Sequence, residues 1–353
     1  MGILQFADLF VNDNTSSSIR FEDLRNTNIA LDVSITLMAA INTKRELRGP
    51  DGLITNHIKV VLDIITAFAK IGVISIWIFD PDKHIVSKSA VQKKRIESTK
   101  DKHDAKLVEF KSKQLEYTKA VEFINNNNID EKMKKELLDQ TNSNFGPYLE
   151  SKKMYDDVGN INIFKIAKMD IKKIFDALNI PYIVAPNGIE AEQLCALLAK
   201  SGVCKYVYSK DMDSLVFGAP MVIYKIPKTQ KYIKIERSKI LIDKKIDDDK
   251  FIKSCVTLGC DFANKVPRVG YKTVLSKVSD IKFDAEQTAA ISLFKNDNIT
   301  PEIKANLRIT LQGIVEKIKK GQSGVNDYVN LRSWLAVHKG FVVKLKVLDD
   351  LYL

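Results

Sequence analysis

Four short apolar runs, each leading into a carboxylate or an acid-bearing turn, constrain this chain more than any other feature. Ile29–Leu31 runs into Asp32, and Val73–Phe79 into Asp80. Ile180–Ala185 leads to the turn Pro186-Asn187-Gly188, just ahead of Glu190 and Glu192, and Cys204–Tyr208 leads to Ser209-Lys210-Asp211. Runs this short and rich in β-branched residues, alternating with helix-length segments, are the pattern of a largely parallel sheet covered on both faces. Thr55–Lys70 has apolar residues at helical spacing and reads as the crossover helix between the first two runs. Ile189–Lys200 should be the helix opened by the Gly188 turn, and Asp247–Leu258 a further helix. Met221–Ile226 and Tyr232–Ile235, joined by a polar turn, read as a hairpin at the sheet edge. The expected class is α/β, with a mainly parallel central sheet and helices on both faces.

In such a sheet the strand ends lie along one edge, and that edge is where open α/β folds bind ligands. Asp32, Asp80 and the Asp211/Asp213 pair should therefore share it, with Glu190 and Glu192 opening a helix beside them. A single acid at a strand end or helix start is an ordinary cap. Residues i and i+2 do not share a face of a regular helix, so at least one of the two glutamates should sit in the entry turn. So many converging carboxylates repel, and hard divalent cations with oxygen ligands are the physical remedy. Magnesium keeps several waters and uses few carboxylates directly. The set therefore suits two ions, roughly 3.5–4 Å apart in sites that bind the attacking water and the leaving oxygen of a phosphoryl displacement.

Composition narrows the partner. With 55 basic against 44 acidic residues the net charge is +11, which favours a polyanion because Lys and Arg that neutralise phosphates release counterions. The four cysteines, Cys195, Cys204, Cys255 and Cys260, form no CxxC pair, so reduced buried thiols are expected rather than zinc. The start, MGILQFADLF, lacks a basic leader, and Phe6 stands where myristoylation would need Ser or Thr. No apolar run is long enough to cross a bilayer. A soluble intracellular protein without membrane contact, and monomeric, is expected.

The residues also resemble a known family, the flap endonucleases and the related XPG-type structure-specific 5′ nucleases. The matching pieces are Met1-Gly2-Ile3, ALDVS (Ala30–Ser34), IFD (Ile78–Asp80), APNGIEAEQLCALLAKSGVCKYVYSKDMDSLVFG (Ala185–Gly218) and TLGCDF (Thr257–Phe262). The long block is the most specific, with its E-x-E and D-x-D separated by eighteen residues. The resemblance implies a PIN-like 5′-nuclease fold. It implies seven metal-site acids at Asp32, Asp80, Glu190, Glu192, Asp211, Asp213 and Asp261. Of these, Asp80, Glu192, Asp211 and Asp213 would lie closest to two Mg2+ ions, with Mn2+ as a substitute. Asp32, Glu190 and Asp261 would act through metal-bound water. The implied activity is hydrolysis of DNA phosphodiesters, as flap endonuclease and 5′-3′ exonuclease, in replication, repair or recombination. Holliday-junction or bubble cutting within the same superfamily remains open, and an inactive DNA-binding scaffold is the alternative of another class.

The stretch from Lys83 to about Tyr155 is rich in Lys and Glu, and Asp104–Ile124 and Asp130–Gln140 read as charged helices. By the resemblance it is a helical arch, through which a single-stranded 5′ flap passes. Lys88 and Arg95, seven residues apart and so on one helix face, match the arch cations that stabilise charge on the scissile phosphate, with Lys93 and Lys94 as DNA contacts between them. Thr257–Thr273 resembles a helix-two-turn-helix element binding duplex phosphates through Arg268, Gly270, Lys272 and Thr273, with K+ held by carbonyls in many relatives. Gly2 is a further DNA contact implied by the match. Here the usual double glycine is replaced by Arg268-Val269-Gly270-Tyr271. Met38 stands where the family often has a base-stacking Tyr, and Leu345 where cellular members begin a sliding-clamp motif with Gln. Clamp binding is therefore not expected, and DNA with a 5′ flap, nick, gap or junction is the expected partner. The compartment would be the nucleus, or cytoplasmic replication sites in a large-DNA-virus member. The expected organisation is a single nuclease domain of four regions: 1–82, the arch insertion 83–160, 161–240, and 241–353 with the helix-two-turn-helix and C-terminal helices.

Overall fold

The computed structural model describes residues 3–41, 47–49, 54–81, 108, 111–127, 129–160, 163–227, 229, 231–320, 331 and 334–335. The side chains of 146–163, 311 and 314–320 are not among those described. Lys88, Lys93, Lys94, Arg95, Gly2 and Leu345 lie outside the described residues. The chain divides into two compact units: Met1–Val91 with Ala167–Leu353, and Gln92–Ile166.

The larger unit is built on a seven-stranded sheet of order β1-β7-β6-β5-β2-β3-β4. The strands are β1 (Ser16–Arg20), β2 (Asn28–Asp32), β3 (Ile74–Phe79), β4 (Tyr182–Val184), β5 (Tyr206–Tyr208), β6 (Met221–Lys225) and β7 (Lys231–Glu236). The run β6-β5-β2-β3-β4 is parallel throughout, and β7 pairs antiparallel with both β6 and β1. The expected hairpin of β6 and β7 is present but does not form the edge. β1, with the sequence SSSIR, covers β7 in the register Ser16↔Ile235 to Arg20↔Lys231. Three serines in five residues carry little β signal, so this strand is held by its partner's backbone rather than by its own side chains.

Strand alternation assigns the two faces of the sheet. Ala30, Ile76, Ile78, Val207 and Val222 point into one core with Leu194, Cys195 and Leu198 of helix α7 (Ala191–Lys200). On the other face Trp77 and Phe79 meet Phe175 of α6 (Ile163–Ala177), with ring centroids 5.1 and 6.0 Å apart. There too Phe68 of the crossover helix α3 (Asn56–Lys70) meets Tyr208 edge-on at 6.2 Å. β2 and β3 are thus buried on both sides, which is why IAL and IWIF are continuous apolar runs rather than alternating ones. Helix α2 (Val33–Ile41) leaves directly from the end of β2.

After β7 the chain is helical. α9 (Arg237–Lys244) and α10 (Asp248–Leu258) follow, the latter capped by Asp247, whose side chain accepts from the Lys250 N–H at 2.8 Å. A turn-rich segment leads to the single-turn α11 (Val274–Lys277), then to α12 (Ala285–Phe294) and α13 (Pro301–Lys320). Phe217, Phe262 and Phe294 form an aromatic trio, two of its pairs edge-on and one tilted, that joins these helices to the rest of the unit.

The smaller unit contains the helical stretch 111–126 (α4) and α5 (Glu131–Asn160). The two pair through Tyr117, whose ring meets Phe145 edge-on at 5.7 Å and whose hydroxyl donates to Asn142 at 2.8 Å. Leu115, Phe123 and Met133 remain exposed on it. Among the described residues no helix is long and apolar enough to cross a membrane.

Candidate active site

The acids fall where parallel strands end. Asp32 is the last residue of β2, Asp80 follows β3, and Asp211 lies three residues past β5. Because β5, β2 and β3 are adjacent in the sheet, these carboxylates line one edge. Asp213 opens the single turn α8 (Asp213–Val216). Glu190 has extended backbone (φ −78°, ψ 152°) and is the N-cap of α7, while Glu192 is in its first turn. The entry turn therefore brings in one glutamate and the helix the other, as the i,i+2 spacing requires.

Asp261 arrives from the opposite direction in sequence. The α10 helix ends at Gly259, whose φ of +93° few side chains tolerate, and a Cβ there would meet Lys265 backbone atoms at 3.1–3.2 Å. The chain turns so tightly that Cys260 bridges to Ala263, and the Leu4 N–H donates to the Gly259 carbonyl at 3.1 Å. Asp261 sits in this turn, 6% exposed. One carboxylate oxygen each from Asp211, Asp213 and Asp261 lie within 4.8 Å of one another.

The other acids surround the same region. Asp32, Glu190 and Glu192 are buried and Asp80 is half-buried. The Cys195 thiol on α7 is pushed well above its ordinary pKa, first by burial and then by Asp32, Cys204, Glu192 and Asp80. That thiol thus feels carboxylates arriving from β2, β3 and α7 together. Cys260 is likewise raised by burial, then by Asp213 and Asp261. Neither thiol is a nucleophile in this field, because the thiolate is what would react.

Local hydrogen bonds aim several of these carboxylates. The Ile35 N–H donates to Asp32 Oδ1 at 3.1 Å, so Asp32 also caps α2. The Ser34 hydroxyl donates to Asp80 Oδ2. Ser209 Oγ accepts from the Asp211 N–H at 2.9 Å, and Asp211 Oδ1 accepts from the Asp213 N–H at 3.2 Å. The orienting roles of Ser34 and Ser209 were not read from the sequence, although each sits beside an acid in a matched segment. The donor set fits a hard divalent cation: all its atoms are carboxylate oxygens, clustered and largely removed from water.

The helix-two-turn-helix candidates are placed separately. Arg268, Lys272 and Thr273 are exposed, and Thr273 and Val274 both donate their N–H to the Gly270 carbonyl at 3.0 Å. The residue with positive φ in this turn is Arg268 (62°). Met38 is 47% exposed on α2.

Two family models match the chain: the XPG N-terminal domain over residues 1–102 and the XPG I-region over residues 179–261. The I-region spans Glu190, Glu192, Asp211, Asp213 and Asp261. Flap endonuclease 1 of Glycine max is 26% identical over 293 residues, covering 79% of this chain and 66% of that protein. The chain thus spans just under two thirds of that relative's length. Among solved structures, the catalytic core of Rad2 in complex with DNA substrate superposes with a TM-score of 0.61 at 16% identity, covering 99% of this chain and 100% of that one. The Holliday junction-resolving enzyme GEN1 in complex with product DNA and Mg2+ gives 0.53 at 15% identity, covering 98% and 77%. At these identities the two structures share the fold.

Proposed function

The chain belongs to the XPG-type nuclease family, whose N-terminal and I-regions it carries, and from that premise we propose that it is a divalent-metal-dependent, structure-specific 5′ nuclease that hydrolyses DNA. The observation that carries the reading is the convergence of Asp211, Asp213 and Asp261 within 4.8 Å at the acidic edge of the sheet. These three would hold a divalent cation, and Asp32, Asp80, Glu190 and Glu192 complete the acidic lining. Mg2+ is the ion proposed, with Mn2+ as substitute. When bound, it supplies positive charge that lets the acids ionise together, acidifies water and offsets charge on the phosphoryl oxygens.

The protein's own part is positional. Ser34 fixes one oxygen of Asp80, the Ile35 N–H fixes one of Asp32, and the Ser209–Asp211–Asp213 chain of hydrogen bonds orders the D-x-D pair. No Ser, Cys or His nucleophile is required, which agrees with thiols held protonated by burial. Lys88 and Arg95 are proposed as the cations facing the scissile phosphate. Arg268, Lys272 and Thr273 are exposed on the turn after α10 and suit duplex phosphates, which position DNA without reading its sequence. Replacing K+ by Na+ in the assay below tests the further reading that this turn holds a monovalent ion.

The test uses labelled 5′-flap, nicked, bubble and four-way-junction DNAs with Mg2+ or EDTA, beside Asp213→Ala. Cleavage of at least one substrate with Mg2+, lost in EDTA and in the variant, is expected. Wild-type protein that binds these DNAs and cuts none of them with metal present would overturn the proposal.

A further inference from the structure

Gln193 follows the E-x-E pair and is fully buried, an unusual place for a primary amide. Its Nε2 donates to Asn298 Oδ1 at 2.8 Å and to Asn296 Oδ1 at 3.0 Å. Asn298 returns a hydrogen bond from Nδ2 to Gln193 Oε1 at 3.3 Å and donates a second to the Gly188 carbonyl at 2.7 Å. Asn296 donates from Nδ2 to the Phe217 carbonyl at 3.2 Å and to the Phe294 carbonyl at 3.4 Å. Each primary amide has two N–H donors, and every one in this trio has an acceptor. A fully satisfied network of this kind is rigid, because shifting any member strands a polar group away from water.

What the network joins matters more than its completeness. Gly188 is in the turn that presents Glu190, and Gln193 is the neighbour of Glu192 on α7. Phe217 closes the short helix that Asp213 opens, its N–H donating to the Asp213 carbonyl at 2.9 Å. Asn296 and Asn298 belong to the loop after α12, and Asn296 takes the left-handed conformation (φ 64°) that turns both side chains back. The glutamate turn and the D-x-D helix are thus tied to one loop from a distant part of the chain. Carboxylates in both segments repel, and a tie of this kind opposes their separation.

We infer that Gln193, Asn296 and Asn298 are positioning residues that hold the E-x-E and D-x-D segments at the spacing needed for a divalent cation. The inference rests on the metal-site part of the reading above, since it concerns the same acids, and not on the cleavage itself. The loop after α12 thereby acts on metal affinity through the two acidic segments it ties together.

The experiment measures Mn2+ binding to the full chain by calorimetry, and separately the Mg2+ concentration giving half-maximal cleavage. The proteins are wild type, Gln193→Met, Asn298→Ala and Asn296→Gly, all held well below their melting temperatures. Asn296→Gly removes the amide where φ favours glycine, so it keeps the backbone and guards against a variant that does not fold. Outer partners of metal ligands typically change affinity about 10–100-fold, so a weakening of about tenfold or more is expected in both readouts, with kcat at saturating Mg2+ largely kept. Variants that melt lower but bind Mn2+ as wild type does would overturn the inference and leave the nuclease reading intact. Wild type that binds Mn2+ and cuts no DNA, with variants that bind it weakly, would sink the nuclease reading and support this one. Wild type that binds no Mn2+ would overturn both.

Discussion

Replacing Asp213 by Asn should make the metal-free protein more stable while abolishing cleavage. Asp213 is fully buried, and one of its oxygens lies within 4.8 Å of oxygens on both Asp211 and Asp261. At that distance and an effective dielectric constant of ~20, two unit negative charges repel by about 3.5 kcal/mol. Two such pairs sum to about 7 kcal/mol, but the protein never bears all of it. Protonating one ordinary carboxylate at pH 7 costs about 4 kcal/mol, so proton uptake caps the strain near that figure. Asn keeps the shape and removes the charge, so a gain of about 2–4 kcal/mol is expected in EDTA, or roughly 3–5 °C in melting temperature for a chain of this length. Adding Mg2+ should remove most of that difference. Wild type gains about 2.7 kcal/mol when the ion is at a hundred times its dissociation constant, and the variant gains much less. Thermal unfolding at pH 7 of both proteins, with EDTA and with Mg2+, tests this directly. If the variant in EDTA melts at or below wild type, the cluster is not strained by like charge and the electrostatic argument for a cation fails.

Three other outcomes are expected. Arg95→Ala should slow cleavage at saturating DNA far more than it weakens binding, and equal losses would reduce Arg95 to a DNA anchor. Lys272→Ala should weaken binding of all duplex substrates alike and lower the slope of log K against log salt by about 1; an unchanged slope removes Lys272 from the phosphate contacts. All four cysteines are buried, and burial pushes the Cys204 thiol up to about 12. A thiol-specific reagent at pH 8 should therefore label the native protein negligibly and the denatured protein at all four positions. For Cys204 the sign is that of a raised group. The stabilisation it lends is complete below the ordinary thiol value of 9.0 and is lost as pH rises towards about 12. Fast labelling of native protein would contradict that burial.

What could be read from the sequence here is what depends on neighbours along the chain. A parallel strand buried on both faces must be a short apolar run, so β2 and β3 were legible, and the acid that ends each run had to lie at the sheet edge. For both Glu190 and Glu192 to turn towards one site, their i,i+2 spacing required that one of them leave the helix, and Glu190 does so as the N-cap. The tertiary structure decided what depends on segments far apart. β1 is a strand because β7, more than two hundred residues later, offers it a ladder, and SSSIR has no side-chain pattern to announce that. The grouping of Asp261 with the D-x-D pair depends on a turn that only a glycine at Gly259 can make. In the same way Gln193 reads as an unremarkable polar residue on a helix until Asn296 and Asn298 are folded against it. Strand ends and helix entries are consequences of local geometry, whereas the spacing of buried charges is set by contacts that the chain makes only once it is folded.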